Sequence, residues 1–339
     1  MNAARALLVA VALLAPGAPG AWEGNVRLES GAGADSNPLR ASGGSAAAGF
    51  GEVVLDARTA AADERGELRA ALSEGARIFV GAPDANVLAT RAELTGGASV
   101  GSAGAIGATF SFRDLSEQGG VRSETGGLAA ATGRLDVGAS RLRLSLGWSA
   151  TVPRAAQVRP FAAQGPEAVL VAALGLGRAQ SLEIAYGYRF YTYPRWAQHE
   201  SRADQTHTAS IDWMLRGPVV VGFGYFFSYN ESSVPGGAYQ RHHLQFRVAA
   251  PLPLGWSIAV HGSLQRSVYP DGFYTDAQVL LAQGDEQQNA FELRLARPFG
   301  DRVELVLKAG AYASELASAG TRLPYDRQVV QLAVSWRLE

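Results

Sequence analysis

Four pairs of opposite charge, each two residues apart, recur along this chain: Arg27/Glu29, Arg91/Glu93, Arg134/Asp136 and Glu292/Arg294. On an extended strand, side chains two apart point to the same face, so each pair sets a cation beside a carboxylate. Such pairs serve either as a neutralising ladder that stiffens a watery wall or as a surface that selects ions. The ladder is the expected use. The same parity, followed along every candidate strand, assembles one polar face. Its cations are Arg27, Arg58, Arg69, Arg91, Arg134, Arg143, Arg189, Arg241, Arg247, Arg294, Lys308 and Arg337. Its acids are Glu29, Glu52, Asp56, Glu93, Asp136, Glu183, Asp212, Glu292 and Glu304, and His243 shares the face. The cations lead by so little that only a weak anion preference is expected.

Positioning those residues takes strands with two unlike faces. In SLEIAYGYRFYTY, residues 181–193, Leu182, Ile184, Tyr186, Tyr188 and Phe190 alternate with Glu183, Ala185, Gly187 and Arg189. Period-two alternation of this kind marks a strand, and it recurs in sixteen segments from Val26 to Leu338. The connections alternate in length. AADERG, SAG, AS, GRAQ, RGP, PLPLG and PFGD lie on one side. The first loop with ADSNPLRASGG, then DLSEQGGVRSETG, VPRAAQVRPFAAQGP, YPRWAQHESRADQ, NESSVPGG, YPDGFYTDAQVLLAQGDEQQ and ELASAGTRLPYD lie on the other. The expected fold is all-β: a transmembrane up-and-down antiparallel β-barrel of about 16 strands, apolar outward and polar inward. Closure leaves no unpaired backbone in hydrocarbon. Tyr186, Tyr188, Tyr225, Phe227, Trp148, Trp213, Trp256 and Trp336 are expected in the interfacial girdles. A propeller would repeat a motif about every 40 residues, and no such repeat is present.

Composition agrees. Of 339 residues, 18% are charged, below the roughly one quarter usual in soluble domains. A net charge of -1 excludes the basic excess that holds a nucleic-acid backbone. The absence of cysteine excludes disulfides, thiolate metal sites and a cysteine nucleophile, and neither a metal nor a cofactor is expected. The first residues, MNAARALLVAVALLAPGAPGAW, place Arg5 before an apolar run from Ala6 to Ala15 and then small residues. This reads as a secretory signal over residues 1–20, with Ala18 and Gly20 at the -3 and -1 positions and the barrel over 21–339. The run is too short to span a bilayer, and Pro16 and Pro19 break it.

Histidine chemistry is the obvious competitor. His242 and His243 are adjacent, hence on opposite faces, and cannot chelate one ion. His243 and His261 both suit the polar face near Asp212, and a histidine–carboxylate set can drive hydrolysis. Hydrolytic barrels are small and filled with side chains, whereas sixteen strands leave a channel, so the chain is not expected to be an enzyme. The glycines in GLG (175–177) and GFG (222–224) are small wall residues, since no helix follows to cradle a phosphate. The longest loop is too apolar to wave in water. Asp276 suits a helix cap, Gly284 a helix end, and Val279, Leu280 and Leu281 need burial. That segment is expected to fold as a gate that narrows or closes the pore.

After GAGA (31–34), the turn ADSNP (34–38) resembles the (Y/A)DSN(P/V) turn of many Gram-negative barrels. These include exopolysaccharide-export porins and the barrels of tetratricopeptide-linked secretion porins. The resemblance implies an outer-membrane conduit for an exported polymer. Scaffolded members carry a long periplasmic region; here almost nothing separates the signal from the first strand, so a periplasmic polysaccharide-export protein is expected as a separate polypeptide. The expected surroundings are outer-membrane lipid and the barrel assembly machinery, for which Leu338 stands in for the usual terminal Phe. A passive diffusion porin is the alternative, and a non-transporting surface adhesin the third.

Overall fold

The alternation becomes sixteen strands because each can bury one face in lipid and wet the other. The computed structural model describes residues 23–39, 44–63, 66–119, 123–154, 162–194, 202–234, 237–268, 288–318 and 321–338, the side chains of 288, 314–318 and 321–325 excepted. The expected signal segment, 1–20, lies outside the described residues.

The strands are β1 (Glu23–Asp35), β2 (Ala48–Ala62), β3 (Gly66–Phe79), β4 (Val87–Val100), β5 (Gly104–Glu117), β6 (Glu124–Val137), β7 (Ser140–Pro153) and β8 (Ala163–Gly175). They continue with β9 (Gln180–Tyr193), β10 (Arg202–Leu215), β11 (Val220–Ser232), β12 (Tyr239–Pro251), β13 (Ser257–Val268), β14 (Gln288–Phe299), β15 (Val303–Ser318) and β16 (Thr321–Leu338). Each pairs antiparallel with its sequence neighbours, and β1 pairs with β16 to close the barrel. One rim carries the short turns, where Gly101 (φ 64°) and Gly138 (φ 59°) supply the left-handed backbone a tight reversal needs.

The outer surface is apolar. Leu146, Phe110, Ile184, Phe223, Leu264 and Leu332 all point outward with no protein over them. A closed, even-stranded barrel with such a belt is the Gram-negative outer-membrane architecture, and that membrane is where the chain resides. Two outward histidines join the aromatic belt near the long-loop rim. His207 Nδ1 lies 2.7 Å from the Tyr186 hydroxyl, and His242 Nδ1 lies 2.7 Å from that of Tyr225.

The long-loop side departs from expectation in one place. ELASAGTRLPYD, expected as an external loop, is strand: β15 runs to Ser318 and β16 starts at Thr321, with Ser318 opposite Thr321. Ladder pairing continues above the membrane because antiparallel neighbours already in register need no hydrophobic face to stay paired. Similarly, β3 runs on past Ser73 to Phe79, where a short 3-10 turn, Pro83–Ala85, leads into β4.

Candidate functional site

In an antiparallel pair, residues directly opposite share a face, so the register traces the lumen from strand to strand. The row Arg27–Asp56–Ser73–Arg91–Arg113–Gly126 is continuous on one face. So is Arg134–Arg143, and Asp136–Arg141–Ala173–Glu183–Asp212. On β12 to β16 the same face carries His243, Arg247, His261, Glu292, Arg294, Lys308 and Gln331. Every strand residue in the expected polar set shares this inward parity, including Arg69, Glu93, Arg189, Glu29 and Glu304.

Those residues do not make one uniform lining. On β14, β15, β16 and β1 they lock together. Arg27 reaches across β16, donating to Ser335 Oγ at 2.6 Å and to Glu304 at 2.9 Å. Arg294 donates to the same Glu304 oxygen, Oε2, at 2.6 Å, and Lys308 donates to Glu29. Beneath them Ala296, Val306 and Ala333 form a small core, with Ala296 and Val306 fully covered.

The rim at the long-loop end is packed as well. Asp35, the acid of the ADSNP turn, is 0% exposed and accepts two bonds from Arg327 on β16, at 2.6 and 2.9 Å. Asn37 donates its backbone N–H to Asp35 at 3.0 Å and its side-chain amide to the Asp326 carbonyl at 3.2 Å. The turn is thus a clamp on the β1/β16 seam. Beside it the Phe50 and Phe79 rings pack tilted, 5.5 Å apart, Arg77 lies 4.6 Å over the Phe50 ring, and Glu52 joins Arg77 to Gln331. Across the mouth Arg202 and Asp204 form a second buried pair at 2.6 Å, and Thr206 donates to Asn230 at 2.6 Å.

The wall from β3 to β8 is open. A cavity of about 1360 Å3 lies against it, toward the short-turn rim. Arg69, Arg91, Arg134, Arg141 and Arg143 project into it among Thr95, Thr109, Thr132 and Ser145. Two smaller cavities, about 520 and 580 Å3, lie nearer the long-loop rim and against β11 to β15.

The expected ladder forms in part. Arg27/Glu29, Arg91/Glu93 and Arg134/Asp136 sit at 3.7, 3.6 and 3.2 Å. Glu292/Arg294 does not pair. Arg294 turns to Glu304, while Glu292 accepts from the Tyr312 hydroxyl at 2.9 Å and faces His261 at 3.9 Å. Arg294 lies directly opposite Lys308, a like charge that disfavours that pairing, and its long side chain reaches along β15 to Glu304 instead. The histidine–carboxylate arrangement also fails to assemble. Asp212 is held by Arg247, and the His243 ring meets Gln245 at 3.4 Å. Asp35, Arg77, Arg202, Asp204 and Arg327 were absent from the expected set. Continued alternation through Gly75, Arg77 and Phe79 would have revealed Arg77; the rest lie where strands run on into apparent loops. The expected gating residues, Asp276, Val279, Leu280, Leu281 and Gly284, lie outside the described residues.

No protein-family model matches the chain, and no curated protein matches it. Among solved structures it is similar to a bacterial polysaccharide outer membrane secretin, at 12% identity over 93% of this chain and 98% of that one, TM-score 0.48. It is also similar to an anion-selective porin from Comamonas acidovorans, at 10% identity over 94% and 100%, TM-score 0.47. A loop-deletion mutant of OmpT, an outer membrane protein of Vibrio cholerae, matches at 7% identity over 95% and 100%, TM-score 0.50. Likeness at these identities speaks for the fold alone.

Proposed function

We propose that this barrel is a conduit across the outer membrane that translocates an exported polymer, a polysaccharide, in concert with separate periplasmic partners. The observation that carries the reading is the shape of the lumen: a hydroxyl- and arginine-lined cavity at the short-turn rim and packed side chains at the long-loop rim. With short turns in the periplasm, as usual for this architecture, the wide end receives and the narrow end releases. No catalysis belongs to this reading, since Asp212 is occupied by Arg247 rather than poised beside a histidine.

Passive diffusion of small solutes is the second reading. It is favoured by the packed long-loop rim, where Asp35, Asn37, Arg202, Asp204 and Asn230 are all buried, a constriction that suits small solutes better than a chain. Flux of graded oligosaccharides into vesicles separates the two. Passage that persists as chain length grows supports export, and a sharp cut-off at a few sugars replaces export with diffusion. A well-folded barrel that passes neither ions nor sugars would remove the conduit. The orientation is checked by tags: one within 230–237 is expected to label on intact cells, and one in 216–218 is not.

A further inference from the structure

The β6–β7 part of the open wall carries more cationic character than the rest of the lumen balances. Arg134 and Arg143 lie directly opposite each other, a like-charge pairing that works against the sheet. Arg141 and Arg134 share a single carboxylate, Asp136, at 2.7 and 3.2 Å. Arg143 has no ion-pair or hydrogen-bond partner among the described residues. The Nε of Arg134 is the atom that faces Asp136 Oδ2 at 3.2 Å, in an ion pair whose angle does not complete a hydrogen bond. Three guanidinium groups thus stand around one acid, which engages two of them and leaves Arg143 to the cavity.

Neighbouring acids do not cancel this surplus. Glu167 is 9% exposed behind Arg189, which is 47% exposed, and Glu93 is held by Arg91. Glu183 stands two strands farther along the Arg141 row without a partner, and Glu23 and Asp56 face the cavity from β1 and β2. Glu67 is likewise held by Arg69, so the carboxylates near the arginines are engaged or distant, and the exposed side chains of Arg141 and Arg143 meet water. Guanidinium presents paired N–H donors that match carboxylate or phosphate oxygens. Thr109, Thr132 and Ser145 line the same cavity and offer hydroxyls to neutral sugar groups.

We infer that Arg134, Arg141 and Arg143 form a binding station for an acidic saccharide, one carrying carboxylate or phosphate groups, entered from the short-turn rim. This rests on the conduit reading and names the substrate class for it. Equilibrium titration of the detergent-solubilised barrel reads the site whether or not the pore conducts. The probes are an oligogalacturonate, a neutral maltooligosaccharide of equal length, and inorganic phosphate. The oligogalacturonate is expected to bind at least about tenfold tighter than either of the others, and less tightly as salt rises. Arg143→Gln should weaken it about tenfold. Arg337→Gln, which removes another exposed cation elsewhere on the same rim, should not. Equal binding of the neutral chain, phosphate binding as tight as the uronate, or equal loss in both variants would each overturn the site. A barrel that conducts but does not bind overturns the station alone, and one that binds but passes nothing overturns the conduit.

Discussion

On the β14–β1 side of the lumen, Ala296 and Val306 are fully buried beside a net of ion pairs and hydrogen bonds that spans four strands. On the β4–β7 side, Arg91 and Arg143 stand in water beside threonines and glycines. Both walls place like charges directly opposite: Arg294 faces Lys308 on the first, and Arg134 faces Arg143 on the second. The difference is the supply of acid. Glu304 lies between Arg27 and Arg294, and Glu29 accepts from Lys308, so these three cations of the first wall are engaged and only Arg337, at the short-turn rim, stands apart from the net among the described residues. On the second wall Asp136 serves two arginines and the third is left over. Charge count alone therefore does not tell a structural wall from a binding one; the placement of carboxylates does.

The sharpest way to break this contrast is at the seam. Asp35→Ala leaves Arg327 buried without its counterion and is expected to cost about 3–5 kcal/mol, the range for breaking a buried pair. Urea titration of the barrel in vesicles measures it, and a loss below about 1 kcal/mol would show that the clamp is dispensable. Next come the outer faces, which should not differ between the walls. Leu293→Arg behind the closed wall and Leu146→Arg behind the open one each put a charge in the lipid band, at about 2–4 kcal/mol near the midplane. If Leu146→Arg were tolerated while Leu293→Arg was not, the open wall would face something other than lipid.

Smaller effects sharpen the inner contrast. Glu304→Gln strips two cations of their shared acid and should cost about 1–2 kcal/mol, reduced by its partial exposure. Glu93→Gln on the open wall, where the pair is exposed and long, should cost no more than about 0.5 kcal/mol. Arg143→Gln is expected to leave stability within about 0.5 kcal/mol and to move the reversal potential in a salt gradient toward cations. An unchanged potential would place Arg143 off the ion path.

The fold was legible because lipid enforces strict alternation: one slip turns every side chain of a strand to the wrong face. Parity therefore placed residues as far apart as Arg27 and Glu304 on one surface. It did not reveal which acid each arginine chooses, since that depends on which strands adjoin and how far they are staggered. The Glu292/Arg294 spacing promised a pair, yet Arg294 went to β15. Nor did parity show where the lumen is full. Asp35 and Arg202 look like rim residues in sequence; their burial comes from side chains brought together across the mouth. In sequence the ADSNP turn marks only a resemblance; in the structure it clamps the β1/β16 seam.

That clamp also has a consequence in time. Asp35 and Arg327 are 292 positions apart, and such distant contacts form late in folding because intervening chain must first be ordered. Chain length itself adds little to the closure entropy, so the delay comes from order of events rather than from a thermodynamic barrier. A barrel lacking its final strand holds an acid in water and an unfastened first turn, the kind of exposed tip where proteolytic nicking concentrates. Completion hides both at once. The contact therefore records whether the last-made part of the chain has met the first, and resistance to cleavage at residues 36–39 becomes a timer for maturation.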